Sequence, residues 1–197
     1  VPLNNDIMAP RMLDIAKHLD ASIINEGELA TRRVRDIVVV ARSVPHMIQF
    51  LKPGALIVVP GDRDDIMLAV AIATMNGVPL AGLLTTCDYP INAHIAQICQ
   101  PAFRTGLPVI SVPTYTFETS TELAVMDRKV PFDDLERMEK VISHVAENLD
   151  TAPLLARIGT PSDPRLPPPA FRYQLIEKAR RAHKRIVLPE GNEPRTV

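Results

Sequence analysis

A chain of 197 residues with a formal net charge of −1 has room for one or two packed domains and carries no basic excess to meet nucleic acid or an anionic membrane surface. Hydrophobic residues make up 46%, yet no stretch approaches the roughly 20 unbroken apolar residues of a membrane-spanning helix, and the start has no signal-peptide pattern. Two cysteines are too few for a disulfide framework, so a reducing, cytoplasmic setting is expected.

Met8, Met12, Ile15, Ala16 and Leu19 form the first helical stripe. Residues 22–24 then open a series of short apolar runs, continued by 37–41, 55–59, 80–84 and 109–112. Each run is too short for a helix and too uniformly apolar for one wet face, which is the pattern of parallel strands covered on both sides. Helices with recognisable ends lie between them. Ser43 is placed to cap one whose first turn tolerates Pro45. Asp62 is placed to cap another that runs to about Met75 and stops at Gly77, with 66–73 apolar all round and so deeply buried. Ile91, Ile95, Ile98 and Ala102 make the next stripe, whose helix Pro101 should kink or shorten. This alternation predicts an α/β fold: a three-layer α/β/α domain over 1–126 with a mainly parallel sheet of about five strands.

Two helical patterns follow, at 118–126 and 133–149, the second within a helical extension over 127–157. Asp133 and Glu136 have capping-box spacing. Leu135, Met138, Ile142, Val145 and Leu149 form a seam for another helix, in a partner or, as the favoured choice, in the parent domain. Residues 158–169 read as a Pro-rich, semi-rigid linker. Beyond it, Phe171, Leu175, Ile176 and Ala179 mark a helix and 186–188 a strand, so 170–197 reads as the truncated start of a second α/β domain. A start at Val1 without Met, and an end directly after that strand, lead to the expectation of a piece of a larger protein.

Ligands gather at the carboxyl ends of parallel strands. Asp62-Arg63, within an acidic Gly61-to-Asp65 segment, allows two readings there. Arg63 could hold an anionic group at a helix N-terminus, or the carboxylates could simply cap and complement the helix dipole, which the acidic first turn favours. Cys87 follows a strand, but a nucleophile needs a thiolate beside a cation, and no pattern supplies one. Cys99 reads as structural. His18, His46, His94, His144 and His183 lie outside metal-ligand spacing and read as surface residues. Arg32, Arg33 and Arg35 could meet a phosphate or an acidic neighbour, with a solvated face favoured. Phosphate loop, dinucleotide fingerprint and nucleophile elbow are all missing from the sequence. No cofactor or metal is implied.

Several segments taken in order resemble one family. They are Thr31-Arg32-Arg33-Val34, Ala41-Arg42-Ser43-Val44-Pro45-His46-Met47, Asp62-Arg63, Met75-Asn76-Gly77-Val78, Thr105-Gly106-Leu107-Pro108-Val109, Val130-Pro131 with Asp133-Asp134, and Pro168-Pro169-Ala170-Phe171-Arg172-Tyr173-Gln174-Leu175. Together they resemble the DRTGG domain of long-form phosphate acetyltransferases, and the segment from Arg185 to Val197 resembles the opening of that enzyme's catalytic domain. The resemblance implies a parent enzyme that interconverts acetyl-CoA and phosphate with acetyl phosphate and CoA. It also implies a three-layer fold, catalytic residues downstream of Val197, and a role in oligomerisation and in the response to metabolites. The implied partners are the parent's own N-terminal and C-terminal catalytic domains, further copies in a homo-oligomer, and a metabolite effector, with neither nucleic acid nor membrane. Asp62, Arg63 and Thr86 match the family's Asp-Arg and Thr, while Cys87 and Asp88 stand where its two glycines would be. A regulatory or scaffolding module that is itself inactive is the leading expectation. A sensor holding its ligand at Asp62, Arg63 and Thr86 is the rival, and a self-standing enzyme of another class the third reading.

Overall fold

The computed structural model describes residues 2, 4–127, 129–153, 156 and 167–182. The chain divides into two units, 1–149 and 150–197. In the first unit, helices α1 (Asn5–Met8) and α2 (Met12–His18) precede strands β1 (Ser22–Asn25) and β2 (Asp36–Val39). Then come α3 (Val44–Met47), a single 3₁₀ turn (Ile48–Phe50), β3 (Ala55–Pro60), α4 (Asp64–Met75), β4 (Gly82–Thr86), α5 (Ala93–Arg104) and β5 (Val109–Ser111). Helices α6 (Thr116–Val125) and α7 (Leu135–Asn148) complete that unit. Among the described residues of the second unit, α8 (Pro168–Ala182) is the long helix.

The sheet has the order β1-β5-β4-β3-β2. Strands β2 to β5 are mutually parallel, while β1 runs antiparallel to β5. Side chains alternate between faces along each strand. Ile57, Val59, Leu83 and Val109 therefore join a core beneath α4 and α5, with Ile66, Val70, Cys99 and Ala102. Leu56, Val58, Leu84 and Ile110 join a second core beneath α2 and α6, with Met12, Ile15 and Leu123. Two apolar cores on opposite faces of one sheet make the three-layer α/β/α arrangement expected from the alternation of elements. Gly82 lets α2 approach closely, because a Cβ there would sit 2.6 Å from Cε of Met12.

Several details depart from the sequence reading. Coverage on both faces holds for β3 and β4 but not for β1, whose Ile23 and Ile24 are exposed, nor fully for β2. Apolar composition does not distinguish a central strand from an edge strand. Helix α4 is apolar all round yet buried on one face only: Ile66, Met67, Val70 and Ala71 face the core while Ile72 is 59% exposed. On α5 the buried residues are Cys99, Ala102 and Phe103, and Ile98 of the expected stripe is 61% exposed. That helix also continues through Pro101 to Arg104. Pro101 is exposed, so the carbonyl it leaves without a donor is on the watery side. In the second unit, Pro168 and Pro169 occupy the first turn of α8 rather than a linker, which suits proline's fixed φ. The expected strand at 186–188 and His183 lie outside the described residues.

Candidate functional site

Strands β3 and β4 end side by side, with Pro60 paired to Thr86, so the structure brings Asp62, Arg63 and Thr86 to one rim of the sheet. The chain leaves β3 through Gly61, whose N–H donates to the Thr86 carbonyl at 2.9 Å. A Cβ on Gly61 would lie 2.7 Å from the carbonyl oxygen of Tyr89, so only glycine fits this crossing. Asp62 is exposed and does not cap α4; the cap position belongs to Arg63. The Arg63 guanidinium grips Asp65 through Nε at 2.8 Å and Nη2 at 2.9 Å, and Nη2 also donates to the Arg42 carbonyl at 3.2 Å. The bond to Asp65 pushes Arg63 further up and holds the Asp65 carboxyl below the usual carboxylate range. Arg63 thus ties the start of α4 to the loop between β2 and α3.

Thr86 is fully buried. Its hydroxyl lies 2.7 Å from that of Thr116 at the start of α6, with the Val59 carbonyl at 3.4 Å. Thr114 and Thr119 form a second hydroxyl pair at 2.7 Å, and Thr119 donates to the Tyr115 carbonyl at 3.0 Å. Four threonines therefore lock the end of β4, the loop after β5 and the first turn of α6 together. Cys87 and Asp88 have φ of 71° and 53°, both in the left-handed region. Glycine enters that region freely, aspartate with some cost and cysteine with more. The backbone here keeps the turn that glycines would favour, held by the Cys87 N–H donating to the Thr114 carbonyl at 3.0 Å. Cys87 Sγ lies 3.6 Å from the hydroxyl of Thr86 and 3.9 Å from that of Thr116. Ser43 sits at the cap position of α3, but its hydroxyl meets Nδ1 of His46 at 3.1 Å instead of a backbone N–H. Among the described residues, no three His, Cys, Asp or Glu side chains are placed to hold a metal. No helix among them is long and apolar enough to cross a membrane.

A second polar constellation was missed by sequence reasoning. Arg33 donates to both carboxylate oxygens of Asp134, with Nη2 to Oδ1 at 2.8 Å, and to Glu136 at 3.1 Å. Arg11 pairs with Asp14 at 2.7 Å and with Asp133 at 2.9 Å, and Lys17 reaches Asp133 at 3.4 Å. Asp134, not the expected Asp133, caps α7 by accepting from the Arg137 N–H at 3.2 Å. Arg137 is buried and donates to the Ile7 carbonyl at 2.7 Å and the Met8 carbonyl at 3.2 Å, closing the end of α1. The Arg33 guanidinium holds the Asp134 carboxyl below its ordinary value, and Arg11 does the same for Asp133. Burial pushes Arg137 down. Arg33 is therefore an internal anchor rather than part of a solvated face, and so is Arg32, which pairs with Glu28 and donates to the Leu80 carbonyl at 2.6 Å. The expected seam of α7 stays largely open: Leu135, Ile142, Val145 and Leu149 are exposed.

Residues 14–126, more than half of the chain, match the DRTGG domain. Over its whole length the chain is 52% identical to a phosphate acetyltransferase of Pseudomonas aeruginosa and 50% identical to one of Escherichia coli K12. It spans 28% of the length of each of these relatives. A crystal structure of the CBS and DRTGG domains of the regulatory region of Clostridium perfringens pyrophosphatase, complexed with the activator diadenosine tetraphosphate, aligns with a TM-score of 0.49 and 20% identity. That alignment covers 75% of this chain and 65% of the other.

Proposed function

The chain belongs to the DRTGG domain family, and we propose that it is the central regulatory and assembly region of a phosphate acetyltransferase. The observation that supports this most directly is the 50–52% identity, sustained over the whole chain, with proteins of that name that are several times longer. On this reading the longer protein interconverts acetyl-CoA and phosphate with acetyl phosphate and CoA. Residues 1–126 are its DRTGG-like domain, 127–157 a helical extension, 158–167 a linker, and 168–197, opening on α8, the beginning of the catalytic domain. The chemistry then resides downstream of Val197. The internal pairing of Arg63 with Asp65 and of Thr86 with Thr116 supports a scaffold rather than a reaction centre. Purified chain incubated with acetyl-CoA and phosphate should release no thiol above background. Sustained thiol release from the pure chain overturns the assignment.

One observation favours a second reading, in which a metabolite binds at Asp62, Arg63 and Thr86. The turn at Cys87 and Asp88 keeps the left-handed backbone that glycines would favour, so the rim retains its shape despite the changed side chains. An anionic ligand would draw Arg63 from Asp65, a charge-assisted exchange. A ligand that prefers the folded chain raises its melting temperature. Nucleotides and small carboxylic acids should therefore raise the Tm of the chain, and Arg63→Ala should abolish the rise. A Tm indifferent to all of them removes the sensor from consideration.

A further inference from the structure

The inner face of α7 is not packed like a core. Arg137, Lys140 and Glu147 recur on it at helical spacing, with Ser143 beside them, on the side opposite Leu135, Ile142 and Leu149. Facing it, Arg33 and Arg35 flank Val34, which is buried in the core beneath α2 and α6. Side chains alternate along an extended segment, so both guanidiniums turn away from that core. These groups and the start of α1 enclose a cleft of about 390 Å³. Clefts that hold small molecules measure roughly 300–1,000 Å³. Among its described lining residues, Arg33, Arg35, Arg137 and Lys140 carry positive charge and Glu147 is the single carboxylate.

The internal bonds of these cations hold them in place around the cleft. Arg33 grips Asp134 and Glu136, and Lys140 shares Glu136 with it. Arg137 is 2% exposed, and its bonds to the Ile7 and Met8 carbonyls orient the guanidinium without neutralising it. Burial pushes Arg137 down, and Arg33 and Arg11 push it the same way against the opposing pull of Asp134 and Asp14. A buried cation held below its ordinary value among like charges is stabilised by added negative charge. Guanidinium forks and an ammonium are the donors that suit phosphate oxygens. Several cations around one cleft favour a multiply charged anion over a monoanion, because each adds its own Coulomb attraction. Lys140, with its side chain 58% exposed, leaves the cleft open to solvent on its own side.

We propose that the cleft between α7 and the Arg33–Arg35 segment is a binding site for a small, multiply charged phosphate compound, held by Lys140, Arg33 and Arg35 above the buried Arg137. The cleft shares no residue with the rim of Asp62, Arg63 and Thr86, and the inference is independent of the sensor reading of that rim. The test is isothermal titration calorimetry of the chain with pyrophosphate and with acetate, in buffers of equal ionic strength. Pyrophosphate should bind and acetate should not. Lys140→Gln should weaken pyrophosphate about tenfold, and Ser143→Glu, which sets a second carboxylate in the cleft, should weaken it at least as much. Lys140→Arg, Ile142→Lys on the outward face and Arg63→Ala at the rim should each bind like the parent chain. Circular dichroism should show the same helix content in every variant. Pyrophosphate binding that survives Lys140→Gln and Ser143→Glu but is lost in Arg63→Ala moves the anion to the rim and overturns the cleft assignment. Acetate binding equal to that of pyrophosphate, or no saturable pyrophosphate binding up to about 10 mM, overturns it too.

Discussion

Helices α4 and α7 are both rich in apolar residues, yet they are attached by opposite means. Helix α4 buries Ile66, Met67, Val70 and Ala71 against β3 and β4 and leaves its charged first turn at the rim. Helix α7 turns Leu135, Ile142 and Val145 outward and is held by Asp134, Glu136 and Arg137. Hydrophobic burial is non-directional and indifferent to pH. An ionic anchorage is directional, and it fails when either partner loses its charge or is removed. The difference shows that an apolar seam identifies a helix without telling which side of it docks.

The sharpest way to break this comparison is to empty the core beneath α4. Ile66→Ala removes a fully buried side chain and should cost about 3 kcal/mol in denaturant unfolding. A loss under about 1 kcal/mol would mean that α4 is not core-anchored. Next, Asp134→Ala removes the α7 cap and the carboxylate facing Arg33, and should cost about 2 kcal/mol. Hydrogen exchange should then show α7 losing protection while α4 keeps it. Acid should separate the two helices in the same order. The carboxyls of Asp133, Asp134 and Glu136 are all held below their ordinary values by cationic partners. Their contribution is fully present above the unfolded-state values, near pH 4, and is lost as pH falls through the lower folded-state values. Protection of α7 should therefore decline below about pH 4 before that of α4. The smallest effect is expected on the seam itself, where Ile142→Lys should change stability by no more than about 0.5 kcal/mol because the site is exposed.

The layers and the five strands were legible because short apolar runs alternate with helical stripes in the order that a parallel sheet requires. Edge position was not, since Ile23 and Ile24 look as apolar as Ile57 and Val58 until the sheet order is known. The clamp on α7 was hidden because Arg33 and Asp134 stand 101 residues apart and a single sequence carries no pairing signal. Their two segments did both figure among the family-like stretches. At the rim, Asp62 and Arg63 were singled out correctly as a helix start, but the capping role was assigned one residue too early. The burial of the Thr86 hydroxyl against Thr116 depends on α6 folding back over the end of β4, which no local pattern encodes.

The most direct measurement is acetyl phosphate formation by the longer protein after deletion of the segment equivalent to residues 1–149, with and without candidate metabolites. Activity should survive while the metabolite response and the native mass both change. Loss of activity in a remainder that stays folded would contradict a regulatory and assembly role and place this segment in the active site.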